Sequence, residues 1–323
     1  MQREDSFVRA AHQPHEVDLP DIPPRLNQES LTDPAVVAYY ETKTNSIIQR
    51  YGPGPRVHYH TGLMDEPPAA GLSSLDLRQR LIAAQERLLH HAAQVWNASS
   101  SLCAEVLDVG CGLGGGAIFW AQEFDARVTA VTCVPSHVDW VARFAAQAGV
   151  ASRVRALLCD ALAVPGEGCF DTAVAVDSSC HLTRGDWFAH LASLLRPGGR
   201  VFIADCFLGR REYEAPFNDY WHARIGTMAE YSAAAMAVGL RQGPVEDISR
   251  HAGHFWTTTA ALMKAEARDK SSGPAETARR DASMRAHALM RQGLADNGLH
   301  YALMSFSKDR NSRPSYSRIG ITT

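Results

Sequence analysis

Short apolar runs alternate with longer segments of helical periodicity from about residue 104 onward. These runs carry too few polar positions to be strands with one solvated face. Apolar strands that alternate with helices are typical of a parallel sheet covered on both faces. The pattern therefore predicts a doubly wound α/β domain. Its predicted strands are 104–110, 127–134, 153–159, 170–176, 200–207 and 299–307.

Helical segments separate the predicted strands. Helices are expected from Gly114, from Ser136, near 185–195 and near 276–294, and helical stretches surround a short strand near 244–248 within 227–266. An insert rich in aromatic residues, 208–226, follows the fifth strand, and 269–275 has the composition of a loop.

Two more helices are expected ahead of this domain. Asp33 and Pro34 form an N-cap with proline at the first helical position, and the glycine–proline run from Gly52 ends that helix near Arg50. Residues 74–95 repeat apolar positions at helical spacing. The predicted organisation is a loose, proline-punctuated arm at 1–32, N-terminal helices with a substrate lid at 33–97, and a ligand-binding core with lid insertions at 98–323.

The composition narrows the class of protein. The chain has 323 residues, 46% hydrophobic and 21% charged, so it has enough apolar material for a sizeable core. The net charge of -3 argues against a nucleic-acid partner, which needs a concentrated basic surface. No apolar run reaches the roughly 20 residues that span a bilayer, and the first residues lack the apolar core of a signal peptide. We therefore expect a cytoplasmic protein without a membrane partner. The sequence leaves open whether the protein forms a homo-oligomer.

A glycine-rich turn follows the first predicted strand of the domain. Residues 105–115 read EVLDVGCGLGG, a buried strand that leads into glycines and then a helix. Glycines let a ligand approach the backbone closely, and the helix N-terminus offers free N–H groups. A dinucleotide fold has a similar turn but places an acidic ribose ligand about 20 residues further on. Here the second strand ends at 131–134 (VTCV), without a carboxylate, so a nicotinamide cofactor is disfavoured.

The wider pattern around the turn is more specific. Asp108 lies two residues before the Gly-Cys-Gly sequence at 110–112, and this arrangement resembles motif I of class I S-adenosylmethionine (SAM) methyltransferases. Further landmarks of that family follow in order at 132–133, 159–161, 170–171 and 195–199. The resemblance implies SAM as the cofactor. It also implies a Rossmann-like sheet of seven strands, in which the last strand lies antiparallel beside the fifth.

The T-x-x-x-x-[Q/H] pattern at 132–137 resembles the branch of cyclopropane-fatty-acid, sterol and isoprenoid C-methyltransferases. Other segments resemble a narrower group within it, the geranyl and isoprenyl diphosphate C-methyltransferases: AYYE (38–41), RVHYHTG (56–62), AQ (84–85) and the aromatic insert FNDYW (217–221). The resemblance covers roughly 38–266. The cofactor contacts that it implies are Tyr40, Gln85, Asp108, Gly110, Cys111, Gly112, Gly114, Thr132, Cys133, His137, Asp160 and Ala161.

Two positions depart from these enzymes. Where the isoprenoid enzymes place a glutamate as general base, this chain has Asp177, and where the geranyl enzymes have a tyrosine it has Thr61. The resemblance therefore implies the reaction class, methyl transfer to an alkene carbon through a carbocation that then loses a proton, and leaves the substrate open. Asp177 and His181 are the candidate catalytic residues, although a loop carboxylate or a helix N-cap would also explain Asp177.

The acceptor site is expected to combine aromatic and basic side chains. Neighbouring π faces stabilise a carbocation, and the candidates are Phe217, Tyr220, Trp221, Phe255 and Trp256, with lid or core packing as the alternative. Arg56, His58 and His60 would bind a diphosphate, or the histidines would only tie the lid to the sheet. The family also implies a magnesium ion (Mg2+) that bridges the diphosphate. Because the chain has no D-D-x-x-D cluster, its metal ligands stay unknown.

Two other classes of function stay open. A methyltransferase of the same fold that acts on oxygen or nitrogen of a small secondary metabolite would use Asp177 or His181 as its base. A non-catalytic SAM-binding protein would keep the glycine turn without an acceptor site. An apolar pocket with aromatic walls and a basic mouth would favour the isoprenoid diphosphate, whereas a polar pocket would favour the small metabolite.

Overall fold

The structure, a computed structural model, describes residues 33–268 and 274–311. It contains one sheet of seven strands in the order β3-β2-β1-β4-β5-β7-β6, in which β7 runs antiparallel to both of its neighbours. The strands are β1 Glu105–Val109, β2 Arg127–Thr132, β3 Val154–Leu158, β4 Phe170–Val176, β5 Leu195–Leu208, β6 Leu240–Asp247 and β7 Leu299–Lys308.

Helices cover both faces of the sheet and its carboxyl edge. They are α1 Pro34–Tyr51, α2 Ser74–Val95, α3 Ser99–Leu102, α4 Gly115–Glu123, α5 Pro135–Gln147, α6 Arg184–Leu194, α7 Glu214–Trp221, α8 Met228–Ala237, α9 Ser249–Arg268 and α10 Pro274–Ala295. Asp33 caps α1 by accepting a hydrogen bond from the Ala35 N–H. Within the described residues, none of these helices has the length and apolar character to cross a membrane.

The architecture confirms the predicted Rossmann-like sheet, including the last strand antiparallel beside the fifth. Two strands begin more than two residues away from their predicted starts. β5 begins at Leu195, because that residue already pairs with Phe170 ahead of a register irregularity, and β6 covers Leu240–Asp247 rather than 244–248. The arm predicted at 1–32 and most of the loop predicted at 269–275 lie outside the described residues.

Alternating side chains of the central strands fill two apolar layers, one on each face of the sheet. Val106 and Phe202 belong to one layer, where the Trp96 ring stacks on Phe202 with centroids 4.9 Å apart. Leu107 and Ile203 belong to the other layer. Successive strand residues point to opposite faces, so strands that are apolar at every position need helices on both sides.

α1 lies across the carboxyl edge of the sheet. The Thr44 Oγ1 is 2.9 Å from the His137 Nε2 at the start of α5. The carboxylate of Glu41 accepts hydrogen bonds from the Ser136 N–H at 3.1 Å and from the Ser136 hydroxyl at 2.7 Å. These hydrogen bonds hold α1 over the cleft at the carboxyl ends of β1, β2 and β4.

Candidate active site

The turn between β1 and α4 lines a cavity at the carboxyl ends of β1, β2 and β4, which we call the glycine-turn cavity. Gly110, Gly112 and Gly114 have φ angles of 71°, 53° and 83°, in the left-handed region that favours glycine. A Cβ on Gly110 would lie 2.5 Å from the Cβ of Ser178, whereas a Cβ on Gly112 would meet no protein atom within 4 Å. The backbone at Gly112 is therefore open to a ligand.

Asp108, near the carboxyl end of β1, presents an unused acceptor to this cavity. Its Oδ2 is buried and has no hydrogen-bond partner among the described residues. Burial raises the pKa of Asp108 to about 7. Because a buried carboxylate without a donor is unfavourable, a ligand that brings an ammonium or N–H group would stabilise it.

Most of the residues expected to touch the cofactor line the glycine-turn cavity. Besides the turn, they are Tyr40, Asp108, Thr132, Cys133, His137, Asp160 and Ala161. Two expected residues do not line it. Gln85 is buried in α2, where its Nε2 donates to the carbonyls of His58 and His60 at 3.3 and 2.8 Å. Gly114 is the N-cap of α4, and a Cβ there would lie 3.0 Å from a side chain of α5, so this glycine serves helix packing.

A second cavity of about 840 Å³ adjoins the first, and we call it the aromatic cavity. α7 and α9 bring all of the expected rings to its wall: Phe217, Tyr220, Trp221, Phe255 and Trp256. The ring centroids of Trp221 and Trp256 are 6.2 Å apart in an edge-to-face arrangement. Such a wall suits an apolar acceptor and a positive charge that develops on it.

Asp177 lies where the two cavities meet, directly after β4, and has a φ of 49°. Its Oδ2 accepts a hydrogen bond from the Thr61 N–H at 2.6 Å, and its Oδ1 has no partner among the described residues. Burial, and then the charge of Asp205, raise the pKa of Asp177 to about 7. The side chain can therefore accept a proton near neutral pH from either cavity.

His181 also lines both cavities. Its Nδ1 is 3.3 Å from the carbonyl of His222, which only accepts, so Nδ1 carries the proton and Nε2 accepts from the Tyr40 hydroxyl at 3.0 Å. Burial lowers the pKa of His181. His181 is therefore a neutral ring whose bond to Tyr40 ties α1 to the end of β4.

Arg56 lines neither cavity, contrary to the expectation that it binds a diphosphate. Its guanidinium donates to Glu86 at 2.9 Å, to Glu123 at 2.6 Å and to Gln122 at 2.8 Å. All three of its nitrogens are therefore engaged by side chains of α2 and α4. The physical reason is that these helices bring two carboxylates to the same point, which no local sequence pattern reveals.

His58 and His60 line the glycine-turn cavity but are bonded within the loop and to α2. The His58 Nε2 is 2.9 Å from Glu86, and the His60 Nε2 is 3.2 Å from the His58 Nδ1. The His60 Nδ1 donates to the Thr61 carbonyl at 2.7 Å. Burial, and then His58, lower the pKa of His60 to about 3, so this ring is uncharged. The arrangement agrees with the alternative in which the histidines tie the lid to the rest of the fold.

The aromatic cavity also contains a basic region that sequence reasoning missed. Its cations come from α1, α2 and α10: Lys43, Arg50, Arg78, Arg279 and Arg280. Arg50 and Arg78 donate to Glu266 of α9 at 2.7 and 3.3 Å, and the Nε of each is buried without a partner among the described residues. Burial, and then Arg50 and Lys43, lower the pKa of His287 to about 3. The region is therefore suited to an anionic group.

The sequence carries a weak signal for part of this region. Arg50 lies three positions after Ile47, on the buried face of α1. Arg78 directly follows the buried Leu77 in the first turns of α2. An arginine close to buried apolar positions is therefore a sequence signal for the basic region. The local sequence around the arginines of α10 contains no such signal.

Comparison with known sequences agrees with the geometry. A family model described as a methyltransferase domain matches residues 106–199. A probable tocopherol O-methyltransferase from Oryza sativa subsp. japonica is 31% identical over 148 residues, 45% of this chain and 40% of that protein. A geranyl diphosphate 2-C-methyltransferase from Streptomyces lasalocidi is 26% identical over 217 residues, 63% of this chain and 71% of that protein. The match to the Oryza protein thus spans less than half of that protein's length.

Solved structures share the fold. A geranyl diphosphate methyltransferase in complex with GPP and sinefungin has a TM-score of 0.73 at 18% identity, covering 87% of this chain and 100% of that chain. A geranyl diphosphate C-methyltransferase from Streptomyces coelicolor A3(2), in complex with Mg2+, geranyl diphosphate and S-adenosyl-L-homocysteine, has a TM-score of 0.68 at 16% identity, covering 85% and 97%.

The seven-stranded fold, the glycine turn and the match of residues 106–199 to a methyltransferase domain together support a class I SAM methyltransferase. Within that class it resembles the geranyl diphosphate C-methyltransferases, and it is also similar in sequence to O-methyltransferases.

Proposed function

We propose that the chain transfers the methyl group of SAM to an alkene carbon of an isoprenoid diphosphate. The observation that carries this proposal is the pair of cavities that meet at Asp177. One has the open glycine backbone and unpaired carboxylate that a cofactor needs, and the other joins an aromatic wall to a basic region. An isoprenoid diphosphate has the same division into an apolar chain and an anionic end.

The glycine-turn cavity would hold SAM through groups that the protein leaves open. Gly112 has space beside its backbone, and Asp108 would accept a hydrogen bond at Oδ2 from the amino group of the methionine part. Thr132 and Asp160 line the cavity after β2 and β3, where the family resemblance places the ribose and the adenine. When bound, SAM supplies an electrophilic methyl group on a sulfonium.

The aromatic cavity would stabilise the positive charge that an alkene acquires on methylation. Cation–π contacts contribute on the order of 0.5–2 kcal/mol each, with the larger values where water is excluded. Asp177 would then remove a proton from the carbon next to the cation. The electron pair of the broken C–H bond forms the new double bond, and the proton moves to the unpaired Oδ1 of Asp177.

The basic region, in place of Arg56, would bind the diphosphate. Arg50 and Arg78 are held in position by Glu266, and each keeps an unpaired Nε–H. Charge-assisted bonds from arginine to phosphate are strong and can be bidentate. The described residues contain no group of three or more His, Cys, Asp or Glu side chains able to hold a metal ion. A magnesium ion would therefore be bound mainly by the diphosphate itself, and we propose no protein ligands for it.

The N-terminal part, 33–97, would act as the lid over this site. The bonds of Tyr40 to His181 and of Thr44 to His137 close the glycine-turn cavity on the side of α1. Such a cover excludes water from a reaction in which water would capture the carbocation.

Methyl transfer to a hydroxyl group is the second candidate, and the similarity to the Oryza O-methyltransferase favours it. In that reaction Asp177, with its pKa raised to about 7, would accept the proton of a phenol as its oxygen is methylated. The basic region would then face an acidic substituent of the acceptor.

The test is to incubate the purified protein with SAM, magnesium and C5, C10 and C15 prenyl diphosphates, with the matching prenyl alcohols as controls. We expect a product one methylene heavier from at least one diphosphate and none from the alcohols. Methylation of the alcohols or of a phenol panel, with none of the diphosphates, would establish the second candidate instead.

A further inference from the structure

A second carboxylate, Asp205, lies beside Asp177 and has no role in the proposal so far. The parallel register pairs Val176 with Ala204, so the residues that follow them, Asp177 and Asp205, lie side by side at the carboxyl edge of the sheet. The Asp177 N–H donates to the Ala204 carbonyl at 2.9 Å. Asp205 is 1% exposed and lines the aromatic cavity together with Asp177.

Asp205 is surrounded by hydrogen-bond donors. Its Oδ2 accepts from the Ser179 hydroxyl at 2.5 Å and from the Cys180 N–H at 3.1 Å. Its Oδ1 accepts from the Cys206 N–H at 2.8 Å. Burial raises the pKa of Asp205, and these donors act in the opposite direction by stabilising its charge. Asp177 accepts from the Thr61 N–H through Oδ2, with further stabilisation from the Tyr301 and Thr61 hydroxyls, but its Oδ1 has no partner among the described residues. Both oxygens of Asp205 accept hydrogen bonds, so Asp205 is the member of the pair that keeps the negative charge.

The other titratable groups that face Asp177 are neutral near pH 7. Burial raises the pKa values of Tyr40 on α1, Tyr301 on β7, Cys180 in the turn after β4 and Cys206 on β5 well above their ordinary values. Burial also lowers the pKa values of the two histidines at the junction, His60 and His181. Among the described residues, Asp205 is therefore the charged group that acts on Asp177.

We propose that Asp205 is a positioning residue for the reaction: its negative charge, held in place by Ser179, Cys180 and Cys206, makes Asp177 a stronger base. This inference rests on the proposed role of Asp177 in the deprotonation of the acceptor. Asp205 keeps its charge throughout, while Asp177 takes the proton from carbon and later releases it to water. A general base works best when its proton affinity matches the operating pH, and an isolated aspartate is too weak for that.

The experiment compares the ionisation of Asp177 in the wild-type protein, Asp205→Asn and Asp205→Glu. Asp177 is followed by carbon NMR of the full chain labelled with 13C-aspartate, and its signal is assigned by its loss in Asp177→Asn. In Asp205→Asn we expect the titration midpoint of Asp177 to fall by about one pH unit, a tenfold loss of proton affinity. The rising limb of kcat/KM against pH should move down with it, and Asp205→Glu should restore both.

The matched control is Asp186→Asn, which removes an exposed aspartate on α6 and should move neither quantity. An unchanged Asp177 midpoint in a folded Asp205→Asn variant would overturn the inference. If that variant does not fold, the wild-type titration decides, because Asp205 must stay ionised over the range in which Asp177 titrates. Full activity of Asp177→Asn would instead refute the proposed base, which is a separate outcome.

Discussion

The glycine-turn cavity and the aromatic cavity are built from the chain in different ways. The first is lined mainly by short segments that directly follow β1, β2, β3 and β4. The second takes its walls from α1, α2, α7, α9 and α10, which are far apart in the sequence. The glycine-turn cavity therefore depends mainly on a few consecutive residues at each strand end. The aromatic cavity can change whenever one of its helices changes, which would allow one fold to serve many acceptors.

The largest effect is expected for a substitution in the glycine-turn cavity. In Gly112→Leu, a side chain would occupy the space beside the turn, and the left-handed backbone would be strained. We expect SAM affinity, measured by calorimetry, to fall by more than about 100-fold. Gly149→Leu is the control, because Gly149 also has a positive φ, 72°, and open surroundings but lines neither cavity. Equal SAM affinity in the two variants would refute the assignment of the cofactor site.

The second largest effect is expected for Asp177, which lies where the two cavities meet. Asp177→Asn should leave SAM affinity nearly unchanged and lower kcat by roughly 10²–10⁴, the usual range for a positioned acid–base group. Asp177→Glu should be less harmful, since the isoprenoid relatives are expected to have glutamate here. Turnover and product masses measure both. Near wild-type turnover of Asp177→Asn, with an unchanged product, would show that this carboxylate is not the base, and His181 would be tested next.

The pH dependence of kcat/KM is a further test of Asp177 as the base. The pKa of Asp177 is raised to about 7, and a base must be ionised to accept a proton. We therefore expect kcat/KM to fall about tenfold per pH unit below that value and to level off above it. This fall of kcat/KM at low pH should be absent from the residual activity of Asp177→Asn. A flat profile through neutral pH in the wild-type protein would contradict the assignment.

A smaller effect concerns the basic region of the aromatic cavity. Arg78→Ala should raise the KM of a prenyl diphosphate by roughly 10-fold to 100-fold, because a hydrogen bond to a charged group contributes about 1.5–3 kcal/mol. The affinity for SAM should not change. The control is Arg80→Ala, which removes an exposed arginine from the same helix. If the two variants behave alike, the anionic end of the acceptor lies elsewhere.

The smallest effect is expected for Arg56, which the sequence had favoured as the diphosphate ligand. Arg56→Ala should leave the KM of both substrates unchanged, because the side chain lies outside both cavities. Its ion pairs with Glu86 and Glu123 are partly exposed, so thermal unfolding should show a loss of about 0.5–1 kcal/mol. A selective rise in the acceptor KM would restore the original hypothesis.

The difference between the two cavities also explains which individual residues could be predicted from the sequence. Asp108, Gly112 and Thr132, which the sequence predicts to contact the cofactor, line the glycine-turn cavity, since each lies at or near a strand end in a recognisable motif. Gln85 could not be placed, because its side chain turns toward the carbonyls of His58 and His60 only when α2 packs against their loop.

The sequence by itself determined the doubly wound sheet, the glycine turn and the aromatic character of the segments that line the aromatic cavity. Strand periodicity and the conformational freedom of glycine are local properties, and they do not depend on what packs against them. Only the tertiary structure decided which cations line the aromatic cavity and which carboxylate lies beside Asp177. Arg50 and Arg78 come from separate helices, and Asp205 reaches Asp177 through the register of two neighbouring strands, so both arrangements exist only after long-range packing.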